Sequence, residues 1–357
     1  MIAEQEVVTL AGERPVSRSR IQPERLKGLT LLGVVALAIV LFSVVVDDYL
    51  SARFVGRLLI AVSITAVVAA GETLVIVTRN IDLSVGSTVG VAAFLTAELL
   101  ADHNGLPALV AIAFAVGVGA VLGAINGVLV AVAKVPSIIV TLGTLSIFRS
   151  VLTGHAGGET IPTGDLPSWI VDLPRSTLFT VGQYQVRTMF GLALMIAVVL
   201  HLVLQYMRAG RHLYALGSNP EAARQAGLHD RRIQIAAFVA CGALAGFAGF
   251  LYVGRFGTIN VTAGAGLELA AIAAAVVGGV STLGGSGTVM GAFLGAVLIG
   301  LLDQSLARVP QISEFWRDAI LGALLLLAVL LDVTLGRRLR GRAGRHGVDA
   351  VGGAEHG

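Results

Sequence analysis

The chain has 357 residues, of which 55% are hydrophobic and 13% charged, and its mean hydropathy is +0.86. Soluble domains carry about 25% charged residues, so this composition excludes an ordinary soluble domain and indicates a membrane protein. The formal net charge is +3, but the basic residues are dispersed at the ends of apolar segments, which argues against nucleic acid as a partner. The 45 glycines are small residues of the kind that let membrane helices approach closely.

Apolar runs long enough to cross a bilayer, about 20 residues each, recur along the chain. The first run follows a polar segment, residues 1–27, and lacks a small-residue cleavage site, so we interpret it as a retained start-transfer helix. The runs are continuous rather than alternating, which predicts an all-α, polytopic bundle of about ten transmembrane helices and not a barrel. The predicted spans are residues 28–46, 58–78, 84–100, 107–130, 137–154, 188–207, 234–254, 268–280, 287–304 and 315–333.

The distribution of basic residues predicts the orientation of this transmembrane domain, residues 28–333. With the N-terminus inside, 17 of the 25 Lys and Arg residues fall on the cytoplasmic side, and eight, Arg149 among them, fall outside or at outer helix ends. Both termini are therefore predicted to be cytoplasmic, including the basic tail, residues 334–357. The loop at 155–187 is predicted to be external, with a short interfacial helix at Trp169–Val171. Cys241 is the only cysteine, so the chain has no internal disulfide, and its apolar context predicts a buried thiol.

The inner loop, residues 208–233, contains the pattern of a short capped helix. Asn219 suits an N-cap, Pro220 suits the first helical position, and Glu221 lies in the first turn, where the helix dipole favours a negative charge. Gly227 suits the C-terminal stop. The face of this helix is small, so a partner protein could approach closely; the alternative is an ordinary surface helix. The small residues are Ala222, Ala223 and Ala226.

A second polar segment lies between two apolar runs. Arg79, Asn80 and Asp82 interrupt residues 71–87, and either Asp82 or Ser84 is expected to cap the following helix. A capped helix start close to the membrane is a plausible place to handle a polar solute, although a tight cytoplasmic turn has the same pattern. Glu72 lies inside the preceding span, and an intramembrane carboxylate is costly enough to indicate function unless it lies near the interface or pairs with an arginine.

Residues 81–95 align without gaps with residues 280–294, with five identities in fifteen. This similarity is compatible with a duplicated architecture, which is common in transporters, and also with chance in so biased a composition.

Four segments together resemble the permeases of ribose-type sugar ABC importers. They are GETLVIVTRNIDLSVGS, VPSIIVTLGTLSIFRS, ALGSNPEAARQAGL and ELAAIAAAVVGGVSTLGGSGTVMGAFLGA, and the resemblance runs in order from about residue 58 to 333. The run TRNIDLSVGS, with Arg-Asn where many sugar permeases have Gly-Gly, is most similar to the autoinducer-2 and rhamnose branches. Glu72 departs from the uncharged residue that many relatives have there.

The resemblance implies a membrane-embedded permease that pairs with a second permease, receives a sugar-like solute from an extracytoplasmic binding protein and is driven by a cytoplasmic ATPase. The inner loop would then be the ATPase-coupling loop. Its expected coupling residues are Gly217, Asn219, Pro220, Glu221, Ala222, Ala223 and Gly227.

A polar solute needs hydrogen-bonding groups inside the bundle, and polar residues in or between the spans are the candidates for the translocation pathway. Asn126 and the two threonines among them have an alternative role, which is hydrogen bonding between helices. The candidates are Glu72, Asn80, Asp82, Ser84, Asn126, Thr141, Thr144 and Glu268.

Several functions lack the residues that they need. The chain has no G-x-x-x-x-G-K-[ST] motif, so it has no P-loop of its own. The seven histidines lack metal-ligand spacing, and we expect no metal and no cofactor. Two alternatives to an ABC permease stay open: a secondary transporter or channel, which would need no ATPase, and an intramembrane enzyme, which would need a cluster of carboxylates or histidines facing one cavity.

Overall fold

The computed structural model describes residues 23–309 and eight residues between 313 and 330, with side chains described from residue 28 onward. The described part is a helical bundle, and eight of its helices are long and apolar enough to cross a membrane, which confirms the predicted fold class. The helices are α1 (Pro23–Val45), α2 (Ala52–Val77), α3 (Val85–Asp102), α4 (Ala108–Ala131), α5 (Ser137–Ala156), α6 (Ser168–Val171), α7 (Thr188–Tyr206), α8 (Arg208–Ser218), α9 (Pro220–Gln225), α10 (Asp230–Phe256), α11 (Leu267–Val277) and α12 (Val289–Leu306).

Eight predicted spans correspond to α1–α5, α7, α10 and α12. The short span predicted at 268–280 is the eleven-residue helix α11, which at 1.5 Å per residue is only about 16 Å long. That is about half of a bilayer core, so α11 by itself cannot cross the membrane. The tenth predicted span, 315–333, and both terminal tails, 1–27 and 334–357, fall mainly outside the described residues.

The long loop after α5 is more ordered than its sequence indicates. It contains the predicted short helix, here α6, and then a hairpin of two antiparallel strands, β1 (Thr177–Val181) and β2 (Tyr184–Arg187), which the sequence analysis did not anticipate. Gly182 adopts a positive φ of 60° in the tight turn between the strands. The hydroxyl of Tyr184 donates to the carbonyl of Leu50, which ties the hairpin to the turn between α1 and α2.

Helix α2 is the centre of the bundle. It packs against α7, α10, α11 and α12, and nearly all of its length is buried. Its residue Gly71 lies against the backbone and thiol of Cys241 on α10, and Cys241 is buried and free, as predicted. Large apolar side chains on α1, α4, α5 and α7 are exposed instead, as expected for helices that contact lipid.

Helices α4 and α10 make the most extensive helix contact among the described residues, and glycines line both sides of it. Gly119 and Gly123 on α4 lie against Gly242 and Gly246 on α10, and a Cβ added at any of the four would overlap the backbone of the opposite helix. Small residues four apart let two backbones approach in this way. The abundance of glycine therefore serves helix packing here, as the composition indicates.

The loops collect on two opposite faces of the bundle. The hairpin face consists of residues 46–51, 157–187, 257–260 and 307–309; Ile161 bridges to Ile259, and Arg308 donates to the carbonyl of Asp47. The α9 face consists of residues 77–79, 207–229 and 284–287; there the amide of Gly285 donates to the carbonyl of Val77, 2.9 Å away. Segments 155–187 and 208–233 thus lie on opposite faces.

The α4–α10 contact predicts a position-specific cost of enlarging glycine. Gly123→Leu places a side chain against the carbonyl of Phe238 and should destabilise the protein by about 1–3 kcal/mol, because overpacking forces the helices apart. Gly117→Leu on the same helix is the matched control, since a Cβ there meets nothing within 4 Å. Thermal unfolding of the purified protein in detergent compares them; equal melting temperatures would contradict the proposed contact.

Candidate functional site

The segment between α2 and α3, residues 78–84, is an irregular link buried inside the bundle. Thr78 ends α2 by donating its hydroxyl to the carbonyl of Val75, 2.7 Å away. Arg79 then adopts φ = +67°, a left-handed conformation that is costly for a residue with a Cβ. Of the following polar residues, Asn80, Asp82 and Ser84 are all at least nine-tenths buried. Arg79 is exposed at the α9 face, and the rest of the segment is buried or half-buried.

Asp82, Ser84 and Asn126 form one hydrogen-bonded cluster, which we call the link cluster. The Asp82 carboxylate accepts from the Ser84 hydroxyl at 2.6 Å and from the Ser84 amide at 2.9 Å. Asn126 of α4 donates to the Ser84 hydroxyl at 2.7 Å and lies 3.4 Å from both Asp82 oxygens. These three residues were all predicted from the sequence as pathway candidates. The fold brings them together although they span 44 positions in the chain.

The prediction that Ser84 caps α3 is wrong, whereas Asp82 accepts from the Ser84 amide directly before the helix begins. Ser84 occupies the N-cap position of α3, but its side chain makes no capping bond to the helix. Its hydroxyl instead donates to Asp82 and accepts from Asn126, which takes the place that a backbone N–H would have in a cap. The polar groups here join two helices rather than finishing one.

The start of α5 holds the link from the other side. The Ser137 hydroxyl accepts from the amide of Ile81 at 3.2 Å. The Thr141 hydroxyl donates to the carbonyl of Ser137 in its own helix at 2.8 Å and also lies 3.3 Å from the carbonyl of Ile81. Thr144 bonds only the carbonyl of Thr141 within its own helix. Among the predicted pathway residues on α5, Thr141 is therefore part of the link's anchorage and Thr144 is not.

Glu72 is fully buried in the central helix α2. Neither of its carboxylate oxygens has a hydrogen-bond partner among the described residues. The same residues show no ion pair for it. An arginine partner, one of the two structural explanations for this residue, is therefore wrong for the described residues. Burying a polar group without a hydrogen-bond partner costs free energy, so Glu72 remains a candidate functional residue.

Glu268, at the start of the half-length helix α11, has its carboxylate against Gly86 of α3 and is not one of the hydrogen-bonded members of the link cluster. The residues before α11, 257–266, are irregular and pass close to α3, because Gly86 and Gly90 leave room where a Cβ would overlap Glu268 or the carbonyl of Ala263. Arg149 of α5 donates to the carbonyls of Val261 and Ala263, at 2.6 and 2.7 Å. Irregular backbone within a membrane protein is tolerated where the protein satisfies it, and Arg149 does so here.

Seven of the eight predicted pathway residues are closed off within this chain. They are at most 8% exposed, and the eighth, Glu268, is partly exposed. A cavity of about 380 Å³ lies instead on the α9 face, between α7, α8 and the start of α12. His201, Arg211, Tyr214 and Thr288 are among its lining residues, and none of the predicted pathway residues is. In this conformation the link cluster is thus sealed from both faces.

The coupling segment has the local structure that its sequence predicts. The Asn219 side chain accepts from the amides of Glu221 and Ala222, both at 3.1 Å, and Pro220 opens the helix. Gly227 adopts φ = +82° after the helix end. The side chain of Ala223, however, is buried against the protein. The exposed surface of α9 therefore consists of Glu221, Ala222, Arg224 and Gln225, followed by Ala226.

Three features of the site were not apparent from the sequence. Helix α8 precedes the coupling segment and joins it to α7. Arg149 lies well inside α5, in contact with the irregular backbone, and not at an outer helix end. Arg79 reaches across to the end of α8. An arginine within or beside an apolar span is a signal for such a role, because it must find acceptors inside the protein.

Comparison with known proteins identifies the family. The model of the family described as "Branched-chain amino acid transport system / permease component" matches residues 54–329, from the start of α2 to beyond α12. The chain belongs to this permease family. It is thus a multi-pass protein of the inner membrane, and it is a transport component rather than an enzyme.

Several curated relatives are similar over most of the chain. The autoinducer 2 import system permease protein LsrC of Enterobacter sp. (strain 638) is 38% identical over 299 residues, which cover 84% of this chain and 83% of the relative. The protein of the same name from Salmonella typhi is 37% identical over 308 residues, covering 85% and 84%. That of Escherichia coli O9:H4 (strain HS) is 38% identical over 304 residues, covering 85% and 86%. No solved structure gave a significant match.

Family membership gives the site its context. The chain is the permease of an ABC importer, and such a permease works in general with an ATPase and a solute-binding protein. The described residues contain no group of three or more His, Cys, Asp or Glu side chains that could hold a metal ion. What the site offers is a buried polar link next to an exposed, capped helix, and both belong to one transport unit.

The contacts of Arg149 predict a structural cost of removing its charge. Arg149→Met keeps the length of the side chain but leaves the carbonyls of Val261 and Ala263 without their donor, which should cost about 3 kcal/mol. Arg175→Met is the matched control, because Arg175 makes an exposed ion pair with Asp172 at 3.6 Å, and such pairs contribute roughly 0–1 kcal/mol. Thermal unfolding in detergent measures both. A melting temperature of Arg149→Met no lower than that of the control would show that Arg149 does not stabilise the segment.

Proposed function

We propose that this chain is the translocating permease of an ABC importer for autoinducer 2 or a closely similar sugar-like solute. The proposal is supported by one observation above all: relatives named as autoinducer 2 import permeases match more than 80% of both chains at 37–38% identity. The permease would pair with a second permease, a copy of itself or a related chain. It would receive solute from an extracytoplasmic binding protein.

A branched-chain amino acid is the second candidate solute, because the description of the family names this class. The link cluster favours the sugar-like solute. It presents a carboxylate, a hydroxyl and an amide close together, groups that hydrogen-bond hydroxyls, and it lacks the paired charges that an amino acid's ammonium and carboxylate would need. The two candidates differ in what the importer should accumulate.

We infer that the link cluster takes part in the pathway when the bundle opens, since it is sealed in the present conformation. Its members join α3 and α4 through the link, so a change in the packing of these helices would expose the carboxylate of Asp82 and the amide of Asn126 to a passing solute. Glu72, Asn80, Thr141, Thr144 and Glu268 remain candidates for the same pathway, with Ser84 as the shared centre of the cluster.

Uptake by the assembled importer tests the solute and the cluster together. The chain, produced with the ATPase and binding protein of its own genome, should accumulate labelled autoinducer 2, and leucine should not compete. Asn126→Ala removes the bond that joins α4 to Ser84, and Asp82→Ala removes the acceptor of that cluster. Each should reduce uptake about tenfold, because each loses a hydrogen bond to a charged or buried group worth about 1.5 kcal/mol or more.

Asn104→Ala is the matched control, since Asn104 is exposed in the turn between α3 and α4. Accumulation of labelled leucine and not of autoinducer 2 would replace the proposed solute by the alternative. Normal uptake by both cluster variants, at equal abundance in the membrane, would remove the cluster from the pathway.

We propose that the α9 face is cytoplasmic and the hairpin face extracytoplasmic. The excess of basic residues in the segments assigned inside supports this orientation, because such residues are retained on the cytoplasmic side. It leaves α9 accessible to a cytoplasmic ATPase. It also directs the α6 helix and the β1–β2 hairpin towards the binding protein.

We propose α9 and its caps as the docking element for the ATPase. The bonds from Asn219 fix the start of the helix and Gly227 ends it, so the exposed residues are held in one geometry. Ala222 and Ala226 leave space for a partner's side chains, while Arg224 pairs with Glu221 at 3.2 Å on the same surface. Gly217 and Ala223 contribute from within, because each packs against this chain.

Docking is tested at an exposed residue of α9. Ala222→Glu adds bulk and a charge to the surface that the ATPase would cover, and burying that unpaired charge should reduce binding at least about tenfold. Copurification of the ATPase with the permease measures binding, and uptake measures its consequence. Permease abundance should stay normal, because the side chain of Ala222 is exposed.

Asn104→Glu adds the same charge at an exposed position in the turn between α3 and α4, outside the α9 face, and should leave binding unchanged. Ala223→Glu does not serve this purpose, since Ala223 is buried and its enlargement would disturb α9 itself. Full ATPase binding and full uptake by Ala222→Glu would show that α9 is a connector and not the docking element.

A further inference from the structure

Arg79 connects the coupling segment to the buried link. Its Nη2 donates to the carbonyl of Ser218 at 2.7 Å, and its Nε donates to the carbonyl of Gly217. These two carbonyls lie at the C-terminal end of α8, where a helix leaves its last carbonyls without intrahelical donors. Asn219, the N-cap of α9, is the next residue. One guanidinium therefore binds the junction between α8 and α9.

The backbone at Arg79 supports this contact at a cost. A left-handed conformation, here φ = +67°, costs a residue with a Cβ roughly 1–2 kcal/mol. Glycine would avoid that cost. The arginine side chain therefore has to make stabilising contacts that glycine, without a side chain, cannot make. The two bonds to Gly217 and Ser218 are these contacts.

The backbone segments around Arg79 are closely packed. A Cβ at Gly217 would overlap the carbonyl of Val77, and a Cβ at Gly284 would overlap the Cγ of Arg79. The Gly285 amide donates to the carbonyl of Val77 at 2.9 Å. The ends of α2 and α8 and the glycine-rich segment before α12 are thus packed backbone against backbone. A shift of one of them is transmitted to the others rather than absorbed.

On its other side, Arg79 leads directly into the link. Two residues further on, Ile81 bonds Ser137 and Thr141 of α5, and one residue later Asp82 belongs to the link cluster with Asn126 of α4. A displacement of Arg79 would therefore act on α3, α4 and α5 together. Beside the direct backbone contacts, the side-chain route from the α8–α9 junction to the polar cluster consists of the Arg79 guanidinium and three residues of backbone.

We propose that Arg79 is the positioning residue that transmits movement of the α8–α9 unit to the link cluster, and so couples ATP hydrolysis to opening of the pathway. The inference rests on the proposed function, since it needs an ATPase docked at α9. Arg79 lies outside the proposed docking surface, so its loss should leave ATP hydrolysis running while transport stops. Lysine cannot replace it, because a single ammonium group lacks the planar arrangement of donors that reaches both carbonyls.

The complete complex of permease, ATPase and binding protein tests this role. Arg79→Gly relieves the left-handed strain and keeps the backbone path, so the protein should fold and melt at or near the temperature of the unmodified chain. ATPase should copurify in the normal ratio and basal ATP hydrolysis should stay within about twofold. Uptake, and hydrolysis stimulated by the solute-loaded binding protein, should fall about tenfold or more, since two charge-assisted bonds are lost.

Arg79→Lys should also lose uptake while keeping ATPase binding and basal hydrolysis. This result would show that the positive charge alone is not sufficient. Arg211→Gln is the matched control: Arg211 lies on α8 and donates to the carbonyl of Tyr206, not to the link, so coupling should be unchanged. Uptake at the normal rate by Arg79→Gly would overturn the proposal. Loss of ATPase binding in that variant would also overturn it, by assigning Arg79 to docking. Failure of the unmodified permease to bind any ATPase would instead refute the proposed function.

Discussion

A backbone group that leaves a helix inside a membrane has no water to bond, and this constraint shapes every interruption in the bundle. The link at 78–84, the segment at 257–266 and the glycine-rich segment before α12 each obtain their partners from the protein. Ser137 serves Ile81, Arg149 serves Val261 and Ala263, and Tyr214 donates to the carbonyl of Gly287 at 2.7 Å. The irregular segments are possible because specific side chains are placed beside them.

Two arginines share this role at different depths. Arg149 holds the segment that enters from the hairpin face, and Arg79 holds the end of α8 at the α9 face, each through two backbone carbonyls. Between them lie α3 and the link cluster. A guanidinium suits the task because it keeps its charge and presents several donors in a fixed plane. The polar cluster is thus bounded on both sides by contacts that depend on one residue each.

Hydropathy was sufficient to predict the bundle and most of its spans, because crossing a bilayer requires long apolar runs. The caps around α9 were equally apparent, since Asn219, Pro220 and Gly227 act on their own neighbours in sequence. The sequence showed α11 as a short apolar run. It did not show that an irregular segment leads into this helix. That arrangement depends on Arg149 and on the space left by Gly86 and Gly90, which lie far from it in sequence.

The residues of the polar site could be predicted from the sequence, but the contacts between them could not. Asp82 and Ser84 stood out as polar residues between spans, and Asn126 as a polar residue within one, but their mutual bonds depend on how α3 and α4 pack. Local rules favoured a helix cap at Ser84, and tertiary contacts overrode them. The burial of α2 on all sides could not be inferred, since its apolar residues are as continuous as those of helices that face lipid.

The central place of α2 has a consequence for how the protein is made. Helix α2 is synthesised early, whereas α10, α11 and α12, which enclose it, come from the last part of the described chain. At roughly 5–20 residues per second, more than about ten seconds separate the release of α2 from that of α12. During that interval Glu72 lacks the helices that later surround it. Biogenesis of this permease therefore includes a stage in which its future core is held at the periphery, in lipid or beside the insertion machinery.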